Sequence, residues 1–348
     1  MSESSGVAGA TDHPTVAVIM TVVNEERHLA QAVQCIRDQD YPGQVSLAIA
    51  VGPSRDRTRE VAQALAADDP SICVVDNPSG RTPIGLNAAI AASTSQVVVR
   101  VDGHAMLPPD YVSVAVATLA RTGAVNVGGV MAAQGTTDLE CAVARAMTSA
   151  FGVGGAAFHI GGAEGPADTV YLGSFLRSAL QAVNGYDETM DRAQDWEMNY
   201  RLRQAGGTIW FTPRMQVTYR PRASLSALAR QYLDYGRWRR EVARRYPQTV
   251  SLRYLAAPLA FLGVSLGLAG VVLGTALGLG LGWWWLAALG AVPVLGYLGA
   301  NALASALTAW RPAGLGWRSA LMLPVVYGTM HMSWGLGFLL GPASRRDG

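Results

Sequence analysis

The first half of the chain alternates short, uniformly apolar runs with stretches whose apolar positions recur every three or four residues. Residues 16–23 (VAVIMTVV), 45–51 (VSLAIAV), 72–75 and 97–101 are runs of the first kind. They are rich in β-branched residues and apolar on both faces, as strands buried in a parallel sheet are. Between them, residues 26–38 carry Leu29, Val33 and Ile36 at helical spacing, residues 56–67 turn Val61 and Leu65 inward, and residues 83–92 form an alanine-rich helix. Strands and helices alternating at this spacing predict an α/β fold of right-handed βαβ units. Further on, the pattern predicts a helix at 110–121, a strand at 126–131 and a helix at 140–150. Residues 151–165 (FGVGGAAFHIGGAEG) read as a mobile or membrane-apposed loop, followed by a strand at 169–172 and a short helix at 177–183. A helix from Trp196 closes at Gly206-Gly207, a good C-terminal cap, and a strand at 208–212 leads to a long basic helix at 225–245.

After residue 250 the pattern changes. Residues 254–310 contain no Asp, Glu, Lys or Arg, a run of 57. A membrane-crossing helix needs about 20 apolar residues, so this run holds two passes and a tight connection. Residues 319–344 carry no charge apart from His331. The organisation predicted is a disordered polar leader at 1–14, an α/β domain at 15–222, a basic interfacial helix at 223–253 and a membrane domain at 254–344. The hydrophobic segments of that domain fall at 254–278, 284–308 and 319–341, the last left open between a full span and a broken or re-entrant one at Pro324.

Charge sharpens this picture. Only 15% of the 348 residues are charged, against roughly 25% in average globular chains, and the deficit lies in the tail. All 27 basic residues are Arg, which reads as genomic base composition rather than a functional choice. The net charge of +2 says little, but residues 214–253 hold ten Arg against Asp234 and Glu241. A basic segment beside membrane spans attracts anionic headgroups and marks the cytoplasmic side. No nucleic-acid module accompanies it, which sets nucleic acid aside as a partner. Cys35, Cys73 and Cys141 lack metal-site spacing and suit a reducing compartment.

The strand at 97–101 ends in Asp102-Gly103-His104. Ligands of open α/β sheets sit beyond the carboxyl ends of the strands. An acid and an imidazole two residues apart in extended chain point to the same side. Asp102 and His104 are therefore a candidate pair for one divalent cation.

Other motifs join this one: residues 18–26 (VIMTVVNEE), 77–87 (NPSGRTPIGLN), Gly185-Tyr186-Asp187, Gln194-Asp195-Trp196-Glu197 and 231–238 (QYLDYGRW). In this order and spacing the chain resembles the inverting family 2 glycosyltransferases, and among them the membrane-bound ExoA-like enzymes of exopolysaccharide assembly. The resemblance covers roughly residues 15–250, with a similar membrane tail. It implies a GT-A fold, a Rossmann-like, mostly parallel sheet with flanking helices, followed by transmembrane helices.

The resemblance also implies roles. Asp102, with His104 in place of a second Asp, would hold the cation that bridges the donor's diphosphate, the alternative being that Asp102 caps a turn and His104 is solvated. A nitrogen ligand favours Mn²⁺ over Mg²⁺, which prefers oxygen. Asp195 would take the proton from the acceptor hydroxyl, the alternative being an N-cap of the following helix. Glu197 would be a weaker candidate for the same base, or would only orient neighbours. Asn24 and Glu25 would meet the nucleotide, or serve as strand-to-helix turn chemistry. The acid usual after the second strand is missing: Gly52-Pro53-Ser54 stands there, with Asp56 next, which leaves the base open although UDP is the commonest choice. Arg81 and Asn87 would flank the diphosphate, with a solvated charge as the other reading of Arg81. Gln231, Arg237 and Trp238 would meet the acceptor and its diphosphate, or lie among lipid headgroups with Arg239 and Arg240. His331, inside a hydrophobic segment, begins a tail His-x-x-Trp-Gly-x-Gly that resembles the ExoA type, and would either serve near a lipid pyrophosphate or pack helices as a neutral imidazole.

The function expected is inverting transfer of a sugar from a nucleotide-diphosphate sugar, UDP-linked first, to a polyprenyl-linked saccharide. The place expected is the inner membrane, multi-pass, with the catalytic domain cytoplasmic and membrane lipids as partners. Arg311 and Arg318, between the second and third segments, agree with that orientation. The rivals are a polyprenyl-phosphate sugar synthase and a non-catalytic scaffold of an export complex. Oligomeric state leaves no trace in the sequence.

Overall fold

The computed structural model describes residues 13–311 and 314–342. Nearly all of the expected leader, and the terminal Arg345 and Arg346, lie outside them. The elements begin β1 (Val16–Val22), α1 (Leu29–Arg37), β2 (Val45–Val51), α2 (Thr58–Asp68), β3 (Ile72–Asp76), α3 (Thr82–Ala91), β4 (Val97–Arg100) and α4 (Tyr111–Thr122). They continue with β5 (Asn126–Ala133), α5 (Asp138–Met147), α6 (Ala150–Val153), α7 (Ala157–Ile160), β6 (Gly165–Pro166), β7 (Tyr171–Leu176), α8 (Arg177–Ala182), α9 (Gln194–Gln204) and β8 (Ile209–Tyr219). Four helices close the chain: α10 (Leu225–Arg245), α11 (Leu252–Leu281), α12 (Trp284–Ala309) and α13 (Trp317–Leu340).

The chain forms two compact units, residues 1–130 with 163–217, and residues 131–162 with 218–348. The first is built on an eight-stranded sheet in the order β3-β2-β1-β4-β7-β5-β8-β6. Strands β1 to β4 are parallel, as their apolar runs predict: Val16 to Met20 are wholly buried, with helices on either side. Leu29, Ala32, Val33 and Ile36 of α1 fill one layer, each large aliphatic contributing on the order of 2 kcal/mol by leaving water. The strand expected at 169–172 is instead β7, antiparallel to both β4 and β5. Gly173 and Ser174 (YLGSFL) break the apolar run, so the expected strand stops short of the observed end at Leu176. The connection between β1 and β2 leaves on one side of β1, and β4 lies on the other. The cleft beyond the carboxyl ends of β1 and β4 is thus the switch point where open α/β sheets bind ligands.

Residues 151–165, expected as an irregular loop, hold α6 and α7 in the second unit and end at Gly165, where β6 begins in the first. Phe151 is packed against Tyr327 and His331, ring centroids 5.0 and 4.7 Å away. His331 Nε2 meets the Phe151 carbonyl at 2.8 Å and its Nδ1 the Tyr297 hydroxyl at 3.1 Å. Helix α13 runs unbroken through Pro324. It packs on α10 so closely that a Cβ at Gly236 would lie 2.1 Å from the Trp334 carbonyl, and one at Gly337 2.0 Å from that of Leu233. Helices α11 and α12, 30 and 26 residues long, are apolar and long enough to cross a membrane. At 1.5 Å per residue each exceeds the roughly 30 Å hydrocarbon layer.

Candidate active site

The first unit gathers its polar side chains at the switch point. After β1 the chain turns through Asn24, which holds the left-handed region (φ 57°), a conformation its short amide tolerates. Asn24 Oδ1 accepts from the Arg55 N–H at 2.8 Å, and its own N–H donates to Ser54 Oγ. Asp56 accepts from the Glu26 N–H and from both donors of Thr58, and the Thr58 hydroxyl chiefly holds its carboxyl below the usual range. The loops after β1 and β2 are therefore stitched together. Asn24 remains exposed above the seam.

At the end of β4, Asp102 O accepts from the Ala105 N–H at 2.9 Å. Asp102-Gly103-His104 is thus a tight turn rather than the extended chain expected, and the turn brings the two side chains to the cleft. Gly103 makes the turn possible, since a Cβ there would lie 2.6 Å from Val22 Cγ1 at the end of β1. His104 Nδ1 is 2.8 Å from Glu25 Oε1. Glu25, expected at the nucleotide, orients an imidazole in this structure. With the proton on Nδ1, Nε2 is the lone-pair nitrogen, the arrangement that prepares a histidine for a metal.

Sequence reasoning passed over Arg100, the residue that ties the site together. It ends β4 and is 6% exposed. One terminal nitrogen donates to Asp102 Oδ1 at 3.1 Å and the other to Asp195 Oδ1. The signal was present: an arginine interrupting VVVRV demands partners, because a buried charge is costly without them.

Asp195 does not cap its helix. Ala193 occupies that position with φ 60°, and Asp195 lies in the first turn of α9. Burial raises its carboxyl above the ordinary aspartate value; Arg100 opposes this and the charge on Asp102 adds to it. Asp195 Oδ2 takes no hydrogen bond among the described residues. Glu197 is buried and clamps Arg201 with both oxygens at 2.6 and 2.7 Å, and Arg201 also donates to the Val183 carbonyl. Tyr186 is buried beside Arg100 and Asp195.

Two expected diphosphate contacts are used by the fold. Asn87 Nδ2 donates to the Tyr186 carbonyl and Glu188 Oε1, and its Oδ1 accepts from the Tyr186 N–H. Arg81 pairs with Asp191 at 2.5 Å and donates to the Glu188 carbonyl. Together they fasten the 185–191 loop, whose continuation is Asp195. Gln231, Arg237 and Trp238 lie on α10 in the second unit. There Gln231 donates to the Tyr219 and Tyr235 hydroxyls, and Arg237 faces Asp234 at 3.6 Å.

Among the described residues no three His, Cys, Asp or Glu side chains converge as a self-sufficient metal cage. Asp102 is about a quarter exposed and His104 about half, with an oxygen and a nitrogen donor in one turn. That donor set fits a divalent cation completed by substrate phosphates and water, as Mg²⁺-type sites often are.

A family model described as glycosyl transferase family 2 matches residues 17–181. Succinoglycan biosynthesis protein ExoA of Rhizobium meliloti (strain 1021) is 33% identical over 250 residues, 70% of this chain and 76% of that protein. Among solved structures, the mannosyltransferase PcManGT from Pyrobaculum calidifontis, in complex with GDP-Man and Mn²⁺, is similar with a TM-score of 0.57. It is 19% identical, and the match covers 95% of this chain and 87% of that one, a likeness of fold.

Proposed function

The chain belongs to glycosyltransferase family 2, an ExoA-like member, and from that premise we propose that it performs inverting sugar transfer to a lipid-linked saccharide in cell-surface polysaccharide assembly. The likeness to a succinoglycan biosynthesis protein supports the pathway class. The observation that carries the mechanism is the Asp102–Arg100–Asp195 constellation in the switch-point cleft.

In this reading Asp102, with His104 oriented by Glu25, holds the divalent cation, and Asn24 lies where the nucleotide enters. When bound, the cation offsets the charge growing on the departing nucleoside diphosphate. Asp195 Oδ2 removes the proton of the acceptor hydroxyl as that oxygen attacks the anomeric carbon from the face opposite the leaving group. A carboxyl raised by burial is the better base. An acceptor phosphate needs no base, so a carboxylate anchored through Oδ1 with Oδ2 open to an acceptor favours a hydroxyl over the polyprenyl-phosphate synthase reading. Arg81 and Asn87 act by fixing the 185–191 loop. Gln231, Arg237 and Trp238 serve the acceptor side.

Helices α11 and α12 cross the inner membrane in this proposal. The arginines of α10, with Arg253 and Arg311, keep the catalytic domain in the cytoplasm, where nucleotide sugars are made. The test is a screen of nucleotide sugars, UDP-linked first and GDP-mannose next, against membrane lipid extract with Mn²⁺ or Mg²⁺. Product lipid is followed by mass spectrometry, with chelation by EDTA as control. A sugar-extended lipid that disappears with EDTA is expected. No product from any donor would overturn the transferase reading and leave the scaffold.

A further inference from the structure

We propose that Arg100 is a positioning residue that couples the donor's cation site to the acceptor's base, by sharing one guanidinium between Asp102 and Asp195. The inference rests on the reading just given and adds to it a residue that none of the motifs contains.

Three observations carry it. First, Arg100 is 6% exposed at the last position of a strand whose other residues are Val. A charge so placed is destabilising unless its partners are fixed. Second, the two terminal nitrogens diverge: one meets Asp102 Oδ1, the other Asp195 Oδ1. Third, each carboxylate is held by Oδ1 alone. Neither Oδ2 takes a hydrogen bond from the described residues, and both side chains are partly exposed, at 27% and 31%. One oxygen of each acid is thereby anchored and the other presented, to a cation at Asp102 and to an acceptor hydroxyl at Asp195.

The two acids lie far apart in sequence but share one counter-charge. Without it Asp195 would lose its one side-chain hydrogen bond among the described residues, whereas Asp102 stays placed by the backbone turn that closes on Ala105. A cation at Asp102 competes with the guanidinium for that carboxylate, leaving Arg100 more fully to Asp195. Loading of the donor thus tightens the grip on the base. Lysine cannot substitute, because a single ammonium lacks the rigid fork that spans two acids.

The test uses the full-length protein with Arg100→Gln and Arg100→Lys. Mn²⁺ binding is measured by calorimetry in the presence of UDP or GDP, and kcat and donor KM are measured separately. For Arg100→Gln, Mn²⁺ is expected to bind as tightly as in the wild type or severalfold tighter, because Asp102 no longer shares its charge. At the same time kcat falls at least about 100-fold, the scale of a misplaced catalytic group, while donor KM changes by less than about threefold. A merely structural role would lower Mn²⁺ affinity and kcat together, and that outcome, or an unchanged kcat, overturns the proposal. If Arg100→Gln does not fold, Arg100→Lys carries the test: wild-type Mn²⁺ affinity with a large loss of kcat is expected, and full activity refutes the need for the fork. The Mn²⁺ measurement needs no turnover, so weakened binding in the variants sinks the coupling alone. A wild type that turns over no donor sinks the transferase reading instead.

Discussion

Asn87→Ala separates a fold role from a ligand role. The amide makes three hydrogen bonds: to the Tyr186 carbonyl at 2.9 Å, to Glu188 Oε1 at 3.0 Å, and from the Tyr186 N–H at 2.8 Å. Tyr186 is 2% exposed, so both of its backbone groups would lose their partner in a dry setting. A buried group left unpaired costs about 1–3 kcal/mol. The Glu188 bond is exposed and adds little. The sum for the two groups is about 2–6 kcal/mol, which for a unit of this size lowers Tm by on the order of 10 °C. The assay is thermal unfolding of the purified protein in detergent, with and without nucleotide, beside donor KM. The expected result is a large fall in Tm and a fall in kcat, because the loop leading to Asp195 loosens, with donor KM little changed. An unchanged Tm with a severalfold rise in donor KM would refute the reasoning and restore Asn87 to the diphosphate.

Other outcomes follow from the same geometry. Asp195→Asn should lower transfer by about 10²–10⁴-fold while nucleotide-dependent thermal stabilisation persists; loss of both would point to a fold defect. Because burial raises the Asp195 carboxyl, the acid limb of the kcat/KM–pH profile should lie above that of an ordinary aspartate, activity falling as pH falls through it. Glu241, held down to about 2 by Arg244 and then Arg245, stabilises the folded state above its unfolded value near 4.5 and loses that contribution as pH falls toward 2. With Arg244 largely exposed, the loss in Glu241→Gln at pH 7 is about 2 kcal/mol, and its Tm deficit should narrow below pH 4.5; a deficit independent of pH would exclude the charge. Gly236→Leu should abolish detergent-stable protein, since even a Cβ lies 2.1 Å from the Trp334 carbonyl of α13; wild-type yield would show that the helices do not meet there.

The parallel half of the sheet was readable because each of its strands is buried on both faces and so spells itself as an apolar run. β7 was readable only at its start, because a strand between antiparallel neighbours tolerates Gly173 and Ser174 when its partners close around them. The tail motif was readable as a resemblance but not as a cause. In the structure its glycines are contact points: a Cβ at Gly335 would lie 2.5 Å from the Ala257 carbonyl, and Gly337 faces Leu233. Spacing alone cannot distinguish a residue that touches a substrate from one that lets two helices touch.

The site residues show the same division in sharper form. Asp102 and His104 were singled out by residue type and position at a strand end, and Asp195 by the resemblance and its place before a helix. Their partners were not, because each pairing spans a long stretch of chain: 79 residues from Glu25 to His104, 95 from Arg100 to Asp195, 99 from Asn87 to Tyr186. Arg81 and Asn87, expected at the diphosphate, are tied to the 185–191 loop in the structure, a partnership that no local pattern shows. The exception was legible in principle. An arginine in the middle of VVVRV is incompatible with a buried strand unless something opposite in charge waits at its end. The two carboxylates that wait there, Asp102 and Asp195, are also the ones proposed for the cation and for the proton.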